Sequence, residues 1–421
     1  MKTRRVIALL LALSMLLTLS ACGKAEGSTR RDVLTVCMDY NFGSIDFARY
    51  IHDFTSKLKY FTGIEDVELI YLPRQGVERE TKLQRLRTEV MSGAGPDIFI
   101  VNCGTADYAL FPYPEKMMDN GFFLPLDDYI ENHAQFTDWD KQEQVILEAG
   151  RNDEGQQIIP LDYSFGVQVH LKSSVDLEKP DHPVTFEEAL SDPELSALYS
   201  SFYNCRNIYM SKGEESHGFS PAYLEHILGE WVDFENEELL LTEEELLSIV
   251  ETTLSLPEDQ SIDGTDYYEP LSAAMLPQLV QPFTPLPLYN RSGGVTAEVD
   301  TFTAINRNTK RAEEAYTFLD FFMREKTQMH SNLGRTIAQN LPLFRDAYKE
   351  ECSYNGRFLI SEAFEEFTEA KEQITEVIFT NELSKDLALM STACWRASVA
   401  GAPYDDIIHE TYELMQRKIR E

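Results

Sequence analysis

Beyond residue 32 the hydrophobic positions alternate between two rhythms. Val33 to Met38 (VLTVCM) is a short β-branched run and predicts a strand. Phe47, Tyr50, Ile51, Phe54, Leu58 and Phe61 then recur at the spacing of one helical face, and Gly63 follows as a stop. Val67 to Leu72 (VELIYL) predicts a second strand, closed by Pro73. Leu83, Leu86 and Val90 mark a second helical stripe that runs into Ser92-Gly93-Ala94-Gly95-Pro96, and Asp97 to Val101 predicts a third strand. A β-α-β-α-β order calls for parallel strands with helices packed on them. Ligands of open α/β sheets sit beyond the carboxyl ends of the strands. Those ends fall here at Asp39-Tyr40-Asn41-Phe42 and Asn102-Cys103-Gly104-Thr105.

The N-terminus has a different pattern. Lys2, Arg4 and Arg5 precede an apolar run from Val6 to Leu19, which Ser20-Ala21-Cys22 closes. This is the layout of a secretory signal, and a run of about 14 residues is short against the ~20 that span a bilayer. The small residues followed by Cys22 resemble the lipobox of bacterial lipoproteins. That resemblance implies cleavage before Cys22 and a diacylglycerol thioether on it, enough for stable anchoring at the outer face of a membrane. Residues 1–21 are then the signal peptide. Residues 22–31, polar and Gly/Ser-containing, read as a lipidated tether.

Charge narrows the partners. The formal net charge is −34, and removing residues 1–21 with their three positive charges brings it to −37. Such a surface argues against nucleic acid, whose phosphates need Lys and Arg, and against attraction to anionic lipid, so any membrane attachment comes through the anchor. No second apolar stretch is long enough to span a bilayer. Roughly 390 residues past the tether exceed what one core usually serves, so two lobes are expected. Setting Cys22 aside leaves five cysteines, an odd number without C-x-x-C spacing. Buried free thiols are the plainer expectation, with a Cys37–Cys103 pair as the alternative.

A series of segments then resembles, in order, the family 1 extracellular solute-binding proteins, the capture subunits of ABC importers for sugars. Met91 to Ile98 matches the family's small-residue, Pro-Asp-apolar turn. Asn120 to Ile130 matches its G-x-L-x-x-L-x-x-Y segment, and Gly155 to Leu161 its G-K-x-Y-x-L-P. Pro183 to Leu190 resembles P-x-T-W-E-E-L, and Ala304 to Leu319 the family's I-x-K-x-S-K-N-x-E-A-A-W-x-F-L stretch. Ala400-Gly401-Ala402-Pro403 precedes a helix with Ile408, Tyr412, Met415 and Ile419 on one face. The resemblance implies an α/β, two-lobed periplasmic-binding-protein-like fold of type II, each lobe a mostly parallel sheet flanked by helices and joined by crossing hinge segments. It places lobe 1 at 32–160 with a return segment at 290–330, and lobe 2 at 163–285 with C-terminal helices at 335–421. Where members carry a sugar-stacking tryptophan after an Ala-Met element, Ala274-Met275 is followed by none, which leaves the ligand open.

A sugar site needs aromatic rings for pyranose faces and fixed polar groups for the hydroxyl rim. The candidates are Tyr40, Phe42, Asn102 and Thr105 at the strand ends, and Asp162 and Tyr163 where the family's chain first crosses between lobes. Tyr289 and Asp300 flank the return. Trp231, in an acidic stretch, and Trp395, on a late helix, complete the set. Core packing is the competing account for each aromatic. No H-E-x-x-H, G-x-S-x-G, P-loop or G-x-G-x-x-G occurs, so the sequence calls for no catalytic residue, metal or cofactor. His217 and His226 fit neither a helical face nor a tight ligand turn. The implied partners are a small solute, a carbohydrate by the resemblance, and an ABC permease. The alternatives are a surface lipoprotein of the same fold that senses or binds a partner, and a glycan-active enzyme.

Overall fold

The computed structural model describes residues 33–39, 45–171, 184–193, 222–255, 267–271, 283–324 and 368–420. Strand β1 (Leu34–Met38) is buried along its whole length, as a contiguous apolar run demands. It is followed by α1 (Ile45–Thr62), β2 (Val67–Tyr71), α2 (Val77–Met91) and β3 (Ile98–Asn102). β1 lies between β2 and β3 and is parallel to both, with Leu34 opposite Val67 and Val36 opposite Ile98. The β-α-β-α-β expectation holds to within a residue at each strand end.

Helix α1 buries Phe54 and Leu58, one turn apart, and Phe54 packs its ring on Phe318, Phe321 and Phe322 at 5.2–5.9 Å. Phe61, expected on the same buried stripe, is half-exposed near the helix end, where the Arg324 guanidinium covers its ring at 5.1 Å. Gly63 ends the helix with φ 76°, a conformation that costs other residues a Cβ clash. On α2 the predicted Leu83, Leu86 and Val90 are buried, and so is Arg79. The turn after α2 is pinned by Asn306, whose amide donates to the carbonyls of Ala94 and Pro96 at 2.9 Å.

The chain continues through α3 (Pro114–Asp119), α4 (Asp127–His133), α5 (Gln144–Glu148) and the β4–β5 hairpin (Arg151–Asn152, Gly155–Gln156) into β6 (Ile158–Leu171). Next come α6 (Phe186–Ser191), α7 (Ala222–Leu228), the β7–β8 hairpin (Val232–Asp233, Glu238–Leu239), α8 (Glu243–Ser255), β9 (Tyr267–Leu271) and β10 (Phe283–Pro287). The last elements are β11 (Val295–Ile305), α9 (Ala312–Phe322), β12 (Ile374–Phe379), α10 (Glu382–Val399) and α11 (Asp405–Ile419). Helix α6 starts on a capping box in which Thr185 and Glu188 satisfy each other's backbone N–H groups, as the Pro-Val-Thr-Phe-Glu-Glu stretch allows.

The first core has two parts, one on each face of the sheet, and three strands cross from it to the second. β6 contributes Ile159 and Leu161 to the first and Tyr163 and Phe165 to the second, so the transition falls at residue 162. β11 gives Val295 and Ala297 to the second core and Val299, Phe302, Ala304 and Ile305 to the first. β12 gives Ile374 to the second and Phe379 to the first, running parallel to β11 with an irregularity after Val295. β11 is antiparallel to β3 on one side and β6 on the other, while β9 and β10 add antiparallel pairings to β6. A single sheet of eight strands thus passes through both lobes. The second core is completed by α7, α8, α10 and α11, with Ile408, Met415 and Ile419 of α11 buried and Tyr412 donating its hydroxyl to Leu241 O at 2.9 Å.

Cys37, Cys103 and Cys394 are buried free thiols, so the Cys37–Cys103 alternative does not form. Burial pushes the Cys37 thiol up to about 12, with Asp39 adding to the effect, which leaves it unreactive at neutral pH. Among the described residues no helix is long and apolar enough to cross a membrane.

Candidate functional site

Between the two cores lies a cleft of about 680 Å³, within the size range of small-ligand pockets. One wall comes from the first lobe: Glu115, Met118 and Asp119 of α3, Glu148 and Ala149, and Arg151 to Asp153 of the β4–β5 hairpin. The other comes from the second: Glu225 of α7, then Glu230 to Glu235 and Leu240. The floor is Val377, Ile378 and Phe379 of the crossing strand β12, with Asn381.

The segments around the cleft are held by identifiable contacts. The loop after β3 is shaped by two arginines of α2. Arg87 donates to the carbonyls of Ala106 and Leu110, while Arg79 donates to Tyr108 O at 3.0 Å and stacks over its ring at 4.4 Å. Arg79 also makes a fork of two bonds to Asp39, at 2.8 and 2.6 Å, with both side chains out of solvent. The same loop meets the second lobe, because Glu382, in the first turn of α10, accepts from Ala106 N at 2.6 Å. On the opposite wall Gly229 has φ 65° and leaves room for the Glu376 carboxylate, which accepts from Glu230 N at 2.7 Å. This ties the segment bearing Trp231 to β12. Aromatic rings meet across the cleft: Tyr113, just before α3, approaches Phe234 of the β7–β8 turn with centroids 6.0 Å apart.

The site is strongly acidic, and burial sets how its carboxyls titrate. Glu115 is pushed up to about 8, chiefly by loss of solvent and secondarily by Asp119 and Glu230. Its Oε2 is sealed and has no hydrogen-bond partner among the described residues. Glu225 is also raised to about 8, by burial and then by the Glu298 carboxylate, although the Ser384 hydroxyl donates to it. Asp300 is pushed up to about 7 by the same two causes; one side of it touches solvent, yet protein atoms crowd the rest. His226 is buried with Nε2 at 3.9 Å from Glu298 Oε2. His217 lies outside the described residues, and among those described no group of three His, Cys, Asp or Glu is placed to hold a metal ion.

These shifts define a pH dependence. A carboxyl whose folded pKa lies above its unfolded value binds more protons in the native state between the two values. The stability it contributes is therefore complete below about pH 4.5 and is lost as the pH rises towards 8. Urea unfolding at pH 5 and pH 8 should give lower stability at pH 8, with each such group adding at most about 1.4 kcal/mol per pH unit to the slope. Glu115→Gln should flatten that slope. An unchanged slope in the variant would show that Glu115 titrates normally.

The sequence candidates fall in different places. Trp231 borders the cleft, but at 3% exposure it too is part of the second core. Tyr163 and Tyr289 are 1% exposed and belong to the second core, and burial raises Tyr289 to about 12. Asn102 is buried at the end of β3, accepting from Thr301 Oγ1 at 3.3 Å and donating to Tyr108 OH at 3.4 Å. Thr105 closes the next turn through its carbonyl, which accepts from Tyr108 N and Ala109 N. Asp300 accepts at its carbonyl from Cys103 N, and Trp395 is half-buried against the second core. Tyr40, Phe42 and Cys22 lie outside the described residues, as does the Ala274-Met275 element. Asp162 is described by its backbone alone, opposite Thr301. Sequence reasoning did not single out Glu115, Glu225, Tyr113 or Phe234.

Two α/β lobes joined by three crossing strands around a cleft are the architecture of type II periplasmic binding proteins. No protein-family model matches the chain, and no curated protein does. Solved structures do. The chain is similar to a family 1 extracellular solute-binding protein from Alicyclobacillus acidocaldarius, with a TM-score of 0.55 and 14% identity over 92% of this chain and 98% of that one. It is similar to a periplasmic oligogalacturonide binding protein from Yersinia enterocolitica, with a TM-score of 0.57 and 14% identity over 92% and 99%. A cyclic alpha-maltosyl-1,6-maltose binding protein from Arthrobacter globiformis gives 0.54 and 14% over 92% and 98%. At these identities the likeness is one of fold.

Proposed function

We propose that the chain is an extracellular solute-binding lipoprotein, which captures a sugar or oligosaccharide between its lobes and delivers it to an ABC importer. The observation that carries this reading is the cleft itself. It is of ligand size, walled by separately packed cores, floored by a strand that joins them, bordered by Trp231 and lined by Phe234 beside groups that can bond hydroxyls. The named binding functions of structures with the same fold support it. A solute touching both walls favours the closed arrangement, because only that arrangement contacts it from both sides. Capture needs no covalent step. Lipid on Cys22 would keep the receptor close to a permease in the same membrane.

A thermal-shift screen of the full chain in mild nonionic detergent, against mono- and oligosaccharides, tests the proposal. A ligand at 100 times its Kd adds about 2.7 kcal/mol of stability. Flat melting across a broad panel, or turnover of the saccharides, would sink it.

A further inference from the structure

The charge of the cleft narrows what it can hold. Eight of its twenty lining residues are Asp or Glu, and among the described lining residues Arg151 is the only Lys or Arg. Arg151 is already committed, with its guanidinium at 2.8 and 3.1 Å from the two oxygens of Asp127 and at 3.3 Å from Glu148. The carboxyl groups stand on both walls, Glu148 and Asp153 on the first lobe and Glu230, Asp233 and Glu235 on the second. A solute between them therefore feels attraction or repulsion from two sides.

Chemistry favours one sign. An ionised carboxylate accepts hydrogen bonds and cannot donate them, whereas an ammonium group has three donors and no acceptor. Phe234 lines the same space, and the faces of aromatic rings attract cations; the neighbouring Tyr113 ring already carries Lys116 Nζ at 5.7 Å. An acidic sugar would instead bring a further acceptor-only anion into a cleft with one occupied arginine.

We infer that the cleft selects solutes bearing ammonium groups, an amino sugar or a polyamine, over neutral and acidic saccharides. The inference rests on the solute-binding reading above and gives it a substrate class.

Calorimetric titration of the full chain in detergent at pH 6.0 tests it with four probes: glucosamine trisaccharide, its fully N-acetylated form, trigalacturonate and spermidine. The expected result is that glucosamine trisaccharide binds about tenfold tighter than the N-acetylated form, the sum of a few partly exposed charge contacts. That advantage should shrink between 20 and 500 mM salt as screening shortens the range of the charges. Glu235→Gln should lower affinity for the glucosamine probe about threefold and leave that for the N-acetylated probe unchanged. Spermidine binding as tightly as the amino sugar would support ammonium selection and assign it to a polyamine. Equal or tighter binding of the N-acetylated trimer or trigalacturonate would overturn the inference while leaving the solute-binding reading intact. Binding of none of the four, together with flat melting across the broader saccharide panel, would remove both.

Discussion

Arg79→Met is expected to lower the unfolding free energy by about 3–5 kcal/mol, the usual cost of removing one partner from a buried ion pair. Arg79 is 2% exposed and Asp39 1%. Without the guanidinium, the Asp39 carboxyl loses two hydrogen bonds in a place that water does not reach. The carbonyls of Tyr108 and Pro73 lose their donor at the same time. The loss should therefore reach past α2 to the end of β1 and to the loop after β3. Urea unfolding measures the change, and a double variant, Arg79→Met with Asp39→Leu, separates its causes. If the stranded Asp39 carboxyl dominates, the double variant should recover much of the loss, because well-packed apolar replacements of buried pairs are often near neutral. A single-variant cost under about 1 kcal/mol would mean that Asp39 finds other compensation.

Phe302→Ala should cost a similar amount, about 3–5 kcal/mol, for a different reason. Phe302 lies on β11 opposite Val101 of β3 and Pro160 of β6, at the centre of the sheet. Its ring is fully buried and within 6.1–6.3 Å of Phe111, Phe123 and Phe379. Those neighbours come from the first lobe and from a second crossing strand, so they are held too firmly to close over the space left behind. Denaturant unfolding gives the magnitude. Phe302→Leu, which keeps most of the volume, should lose clearly less. Equal losses from the two variants would show that ring geometry, rather than volume, is what the core needs there.

How much of this was legible in the sequence depended on the length scale of the signal. β1 and β3 were legible because a strand covered on both faces is a contiguous apolar run, and α2 because Leu83, Leu86 and Val90 keep one helical face. The transition in β6 was marked through the order of motifs around Pro160. β12 was not marked, since ITEVIF neither alternates nor forms an unbroken apolar run, and it acquires its role only by pairing with β11. The site was less readable than the fold. Trp231 stood out because a large ring among carboxylates is unusual. Glu115 and Glu225 did not, for in a chain with 71 Asp and Glu a buried carboxyl has no local signature. Tyr163 and Tyr289 show the converse difficulty. An aromatic beside a crossing reads the same whether it faces ligand or core, and only strand register separates the two faces.

The sharing of crossing strands between cores also governs how the chain can fold. The first core draws on residues from Leu34 to Phe379, and the second on residues from Ile146 to Ile419. A chain emerging N-terminus first can finish neither lobe until nearly all of it has appeared. Its early strands must wait, unpaired on the β11 side, for a partner some 200 positions away, as Asn102 waits for Thr301. Contacts of such long range make folding slow. They also leave apolar strand edges exposed for the longest time at the stage when the chain is most open to aggregation.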